Sequence, residues 1–409
     1  MQKASPLSLT KSFGFGDRLG VATPGHLAAA LGYDFAPIFA QQSIREMART
    51  QRTPTEVMNA AETALKAAGF NGVWGADADH LKTPEDVQVT AAAGFTFFTI
   101  DPSSYVNNRA DTMSANQLEP LAAQIEREDI FHPSDYLGKT FEFGSQSLSF
   151  SPETLTRTAV KYGRAIAHSA NMAAEIRSHR ADADIEISVD ETDFATTPHE
   201  HLFVGLELKR RGVVVTGLAP RFVGDFEKGI DYKGDLAEFE RQLVLHRQIA
   251  ELCGPYKISI HSGSDKFTVY PIIGRVCGDL LHVKTAGTSY LEALRAVLRV
   301  DPVLFSEIAE YSHTRFSTDR ASYHISTTDA EVQALEGSAQ QDWEELYLDL
   351  RPGRQLLHVT FGSVLTVGRR PDGQTFREAI LDRLTKNAAL HEELLEKHFR
   401  KHLSLLCQG

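Results

Sequence analysis

The chain is short of cysteine, of positive charge and of long apolar runs. Its three cysteines, Cys253, Cys277 and Cys407, are scattered over 409 residues, and no CxxC pair occurs. That pattern excludes a disulfide framework and a cysteine-rich zinc module, and it fits a reducing, cytoplasmic compartment. Lys plus Arg number 42 against 54 Asp plus Glu, for a net charge of −12. A nucleic-acid partner, which would be bound through a basic face, is therefore not expected. No stretch of about 18 apolar residues exists to cross a membrane, and the start MQKASPLSLTKSFGFGDRLG lacks the apolar centre of a signal peptide. Nucleotide-binding signatures are missing too. Gly14 to Gly20 is spaced GxGxxxG with no clear strand before it, and GxxxxGK is absent. A GxSxG elbow for serine catalysis is also absent.

What is present is an alternation of short β-like runs with helical patterns. The runs are Arg18–Ala22, Gly72–Ala76, Thr96–Ile100, Ile185–Val189, Val213–Gly217, Tyr256–His261, Leu280–Thr285 and Leu356–Phe361. Eight such runs separated by helices predict an α/β fold, a (β/α)₈ barrel, with a doubly wound open sheet as runner-up. Thr53-Pro54-Thr55-Glu56 and Thr83-Pro84-Glu85-Asp86 read as helix starts, as do Ser151-Pro152 and Asp301-Pro302. No composition shift marks a second unit, so residues 1–409 are expected to form one barrel domain. Excursions are expected at about 128–150 and 317–352, with a charged helical tail at about 373–405.

Barrel active sites lie at the C-terminal ends of the strands, and here those ends are crowded with ionisable groups. A single Asp after a strand is usually a helix cap. The joint pattern of carboxylates, imidazoles and cations is harder to explain that way. Imidazole with carboxylate suits a divalent metal, Zn, Mn, Co or Ni. His80, His261 and His282 are the candidate ligands, with His358 in a similar LLHV context as an alternative to His282. Glu191 and Asp79 are the candidate acid–base pair. Arg221, Lys266, Lys284 and Asp190 are the candidate substrate contacts, the cations suiting a small anion. His391, His398 and His402 on the tail read as a solvated face, and His199-Glu200-His201 as a helix start.

The strings SFGFGDRLGVATPGH, GVWGADADHLKTPEDV, SVDETDFATTPHEH, GLAPRFVGDFEKGIDY, ISIHSGSDKF and LLHVKTAGTSYLEALR together resemble the tagaturonate/fructuronate epimerase family. The resemblance runs from about residue 12 to beyond residue 360. It implies a divalent-metal-dependent hexuronate epimerase of uronate catabolism that interconverts D-tagaturonate and D-fructuronate. The two sugars differ at the carbon β to the ketone, which simple enolisation cannot invert. The missing dinucleotide fingerprint argues against transient oxidation, which leaves retro-aldol cleavage and re-addition, with a loop closing over the mouth. A metal-dependent sugar-acid aldolase or isomerase on the same barrel is the alternative. A non-catalytic sugar-acid sensor is a weaker one. A homo-oligomer is compatible with the sequence.

Overall fold

The computed structural model of the chain describes residues 3–408. Its strands are β1 (Ser12–Gly16), β2 (Ala36–Ser43), β3 (Gly75–Leu81), β4 (Phe97–Ile100), β5 (Thr140–Phe143), β6 (Gln146–Ser149), β7 (Asp184–Val189), β8 (Gly217–Pro220), β9 (Lys257–Ile260) and β10 (Leu281–Thr285). Strands β5 and β6 form a separate antiparallel hairpin inside the expected excursion at 128–150. The other eight are parallel and close in the order β1-β2-β3-β4-β7-β8-β9-β10, with β10 pairing back onto β1. Helices surround them, so the expected (β/α)₈ barrel is the fold, followed by a helical C-terminal segment.

Alternation along each strand sorts the side chains. Phe13, Phe15, Ile185, Ile187, Ile258, Ile260, Leu281 and Val283 are buried in the apolar layer with the helices. Their alternates, Ser12, Asp77, Thr99, Glu186, Ser259, His282 and Lys284, fill the barrel, and every one of them is buried. The lumen is therefore polar, and the helix-facing layer supplies the apolar stabilisation.

The eight sequence runs do not all coincide with strands. Arg18–Ala22 lies beyond the end of β1, and β2 carries no run at all. Val213–Gly217 is mostly the approach to β8. Leu356–Phe361 is not a strand: it lies inside the helix Arg351–Thr366, which is buried along most of its length. A helix covered on all sides loses its 3.6-residue period and reads as a continuous apolar run. His358 belongs to that helix, with Nε2 3.3 Å from Arg18 Nη2, so it does not share a barrel layer with His282.

The helix starts lie where the capping signals place them, with Thr53 and Thr83 both closing capping boxes. The C-terminal helix Ala388–Leu406 is not a solvated tail. It packs on the helix Thr23–Ala30, and its Phe399 meets Phe13 and Phe15 edge-on at 6.1 and 5.1 Å. His391 and His402 are buried there and His398 nearly so, which corrects the solvated reading. The insert at 317–352 contains the helix Asp329–Gln333 and one π-helical stretch, Glu344–Asp349. Its residues 322–324 reach over the barrel mouth. Among the described residues, no helix is long and apolar enough to cross a membrane.

Candidate active site

The lumen is organised around one cation. Lys284 Nζ lies 2.9 Å from Asp77, 2.7 Å from Asp79 and 2.9 Å from Glu186. Burial opposes its charge, but the three carboxylates outweigh that and hold the ammonium above the usual lysine range. His282 shares the inward face of β10 with Lys284, two residues earlier. Its Nδ1 sits 2.9 Å from Ser12 Oγ, and its Nε2 is 4.0 Å from Asp77. It is fully buried and does not line the mouth cavity. The structure does not bring it to His80 and His261; the group that converges there is Asp79, His80 and His261.

Above Lys284 the site opens. The pairing of β3 with β4 shifts register between Ala78 and Leu81, and His80 adopts φ +54. Neighbours on a regular strand point to opposite faces, and this irregularity turns Asp79 and His80 to the same side. His80 Nδ1 is 2.9 Å from Asp79 Oδ1. His261, directly after β9, sets its ring centroid 5.1 Å from that of His80, with the planes tilted by 51°. Its Nε2 is 2.7 Å from Glu186 Oε1 and its Nδ1 3.3 Å from Asp190 Oδ2.

The electrostatics follow from these contacts. Burial raises the cost of charge on Asp79, but His80 and Lys284 outweigh it and hold the carboxyl well below the carboxylate range. Burial opposes protonation of His261, and Asp190 and Glu186 reverse that, pushing it up to about 10. Asp190 is likewise held low, burial being outweighed by His261. One ligand atom each from Asp79, His80 and His261 lies within 4.8 Å of the others. Neither His Nδ1 makes a well-formed hydrogen bond. Two imidazoles and a carboxylate are a donor set that fits a divalent cation. A second cluster, Asp265, His398 and His402, is consumed internally. His402 Nε2 accepts the Asp265 N–H at 3.0 Å, and His398 Nε2 pairs with the Thr288 hydroxyl.

A cavity of about 260 Å³ lies over this group. Glu191 stands at its side, one third exposed, with Oε1 3.3 Å from Arg45 and 3.9 Å from His80 Nε2. Arg221 also lines the cavity and donates to the Thr192 carbonyl. Lys266 does not. It is buried behind the wall, where its Nζ donates to the carbonyls of Glu227, Ser264 and Ile230, and burial pulls it down to about 7. The sequence reading missed Arg45, Glu46 and Arg49, which follow the unrecognised β2. It also missed Lys228 on the loop after β8, and Tyr323. The run SIREMAR directly after a strand would have found the first three.

The whole chain is similar to known proteins. The tagaturonate epimerase (UxaE) family matches residues 2–406. A tagaturonate/fructuronate epimerase of Thermotoga maritima is 44% identical over 398 residues, 97% of this chain and 81% of that protein. The glycerol-complexed crystal structure of fructuronate-tagaturonate epimerase from Cohnella laeviribosi superposes with a TM-score of 0.93 at 38% identity, covering 99% of this chain and 83% of that one. The native crystal structure of the same epimerase gives the same values.

Proposed function

The chain belongs to the tagaturonate epimerase family, and on that footing we propose that its single barrel domain interconverts D-tagaturonate and D-fructuronate at the barrel mouth. Asp79, His80 and His261 would hold a divalent cation, Zn, Mn, Co or Ni. Such a cation supplies Lewis-acid polarisation of the substrate ketone. The observation that carries the reading is the convergence of these three groups with Glu191, in a cavity rimmed by Arg45, Arg221 and Lys228.

The sugars are epimers at C4, two carbons from the ketone at C2. A retro-aldol step inverts C4 without breaking its C–H bond. A base takes the proton of the C4 hydroxyl, the C3–C4 bond breaks, and its electron pair passes into the enediolate of C2 and C3. C4 becomes an aldehyde. The aldehyde turns about C4–C5, the enediolate re-adds to its other face, and the proton returns to the C4 oxygen. No external oxidant or reductant enters the balance.

The partners of the two candidate carboxylates support different roles for them. Asp79 is spent on His80 and Lys284, so it serves the cation group. Glu191 is more exposed and is not paired with Lys284; its neighbours are Arg45 and Lys82 at the rim and, at 3.9 Å, His80, so it is the proton carrier. Lys284 is held protonated among three carboxylates, so it is no nucleophile for an imine. It fixes Asp79 instead. Arg221, on the cavity wall against the Thr192 carbonyl, adds positive potential to the mouth.

The test is a proton NMR time course of D-tagaturonate with chelator-treated protein, before and after Mn²⁺ or Zn²⁺. Fructuronate appearing only with metal is the expected result. Metal-dependent three-carbon fragments without fructuronate would make the protein an aldolase. Obligatory NAD would remove the mechanism.

A further inference from the structure

The cations around the cavity are not equivalent. Arg18 is bound to Glu46 through two nitrogens, at 3.0 and 2.7 Å, and lies on the Phe361 ring at 3.5 Å. Arg45 meets Glu191, and Lys284 is enclosed by three carboxylates. Arg49 donates to Tyr323 and Ser322 of the covering insert. Lys228 differs. Its Nζ donates to the Ser262 hydroxyl at 2.7 Å, and among the described residues it forms no ion pair with a carboxylate within 4.0 Å. An ammonium has three donors, so two remain for a ligand. Ser262 follows His261 directly, which places this free cation beside the metal-candidate group.

The backbone that carries Lys228 is braced from below. The carbonyl of Glu227 accepts from Lys266 Nζ at 2.8 Å, that of Lys228 from Gln355 Nε2 at 3.2 Å, and that of Gly229 from Arg354 Nε at 2.6 Å. The carbonyl of Ile230 accepts from Lys266 as well. Four successive carbonyls are thus tied to three buried side chains, and the Glu227 carboxylate is held by Gln355 and Ser326. A loop fixed this closely presents Lys228 at a set position, at little ordering cost on binding. Lys266 is a brace of this loop.

We infer that Lys228 is the anchor of the substrate's C6 carboxylate, and that by holding that end it keeps the aldehyde fragment seated while it turns. The inference rests on the epimerase reading above. Cleavage between C3 and C4 leaves a three-carbon hydroxy-aldehyde carboxylate with no covalent tie to the enediolate. Rotation about C4–C5 presents the second face of C4 without moving C6. A fixed cation at C6 therefore serves as pivot and tether, and it separates an epimerase from an aldolase on the same chemistry.

The experiment compares wild type, Lys228→Met and Lys228→Arg on D-tagaturonate with saturating Mn²⁺. It records KM, kcat and three-carbon aldehyde captured by a hydrazine trap. Losing one charge-assisted contact should raise KM about tenfold to a hundredfold in Lys228→Met. Released aldehyde should rise against fructuronate formed, and Lys228→Arg should recover most of the KM. Melting curves check the fold. If Lys228→Met is unfolded, Ser262→Ala replaces it, with a smaller rise in KM expected from the unseated ammonium. A wild-type KM with no added aldehyde overturns the anchor and leaves the epimerase standing. A borohydride-trapped substrate adduct on Lys228 also overturns it, since that lysine would then be a nucleophile. No turnover of D-tagaturonate by wild type removes the epimerase reading itself, and the anchor with it.

Discussion

Lys284 Nζ and Asp79 Oδ1 stand 2.7 Å apart, and that contact joins the barrel lumen to the candidate metal group. The same ammonium holds Asp77 and Glu186, and Glu186 in turn holds His261 at 2.7 Å. Both His80, through Asp79, and His261, through Glu186, are therefore oriented by one buried cation.

Removing that cation should be costly. Lys284→Met leaves Asp77, Asp79 and Glu186 buried without it. Breaking a buried ion pair from one side costs about 3–5 kcal/mol, and urea unfolding against wild type measures it. A change within about 0.5 kcal/mol, the range of a surface substitution, would mean that the carboxylates are not held as ions.

The histidines divide by position. His80→Ala and His261→Ala should lose divalent-metal binding in calorimetry, with kcat/KM down about a hundredfold or more. His282→Gln should keep metal binding and lose stability by about 1–3 kcal/mol, the cost of a buried hydrogen bond left unmade. Metal loss in His282→Gln would return it to the ligand set.

Glu191→Gln keeps the shape and removes the base. Its kcat should fall about 10²- to 10⁴-fold, with KM changed little. Its melting temperature should stay at the wild-type value, because Glu191 is one third exposed. A rise in KM alone, with kcat unchanged, would assign it to binding.

Stability should fall in mild acid. Burial holds His26 and His402 down to about 3 and His246 down to about 4, against an ordinary 6.5. Below pH 6.5 the unfolded chain takes up protons that these folded rings refuse, so stability declines as pH drops toward the folded values. At one unit below 6.5 each ring contributes about 1.4 kcal/mol of loss. In the metal-loaded protein His80 and His261 act in the same direction, because the metal competes with the proton. Urea unfolding at pH 7.5 and 5.5 should differ by several kcal/mol. A flat profile would contradict the buried neutral rings.

The barrel was legible in the sequence, though two missed strands, β1 and β2, were offset in the count by two runs that are not strands, Arg18–Ala22 and Leu356–Phe361. β2 (Ala36–Ser43) was missed because its C-terminal half, Gln41-Gln42-Ser43, faces the polar mouth and breaks the apolar pattern. β1 was missed because Gly14 and Gly16 dilute it. Gly16 is required there, since a Cβ would lie 2.6 Å from the Thr285 carbonyl oxygen and from Ala286 Cα at the end of β10. The buried helix Arg351–Thr366 was taken for a strand because it shows no polar face. His80 near the end of β3, and Asp190, Glu191, Arg221 and His261 just past the ends of β7, β8 and β9, all line the cavity. Lys228 and Tyr323 lie on long connections, where neither period nor spacing marks a side chain that folds back over a mouth. Lys266 shows the converse: a cation close behind a strand end whose donors are spent on carbonyls.

The most direct test of the account is the fate of the C4 hydrogen. D-tagaturonate carrying deuterium at C4 is converted by the metal-loaded protein in ordinary water, and the fructuronate is read by NMR and mass. The account predicts full retention of deuterium at C4 and no primary isotope effect on the rate, because C3–C4 breaks and C4–H does not. Loss of the label to solvent, or a primary isotope effect, would contradict it and require cleavage of the C4–H bond instead.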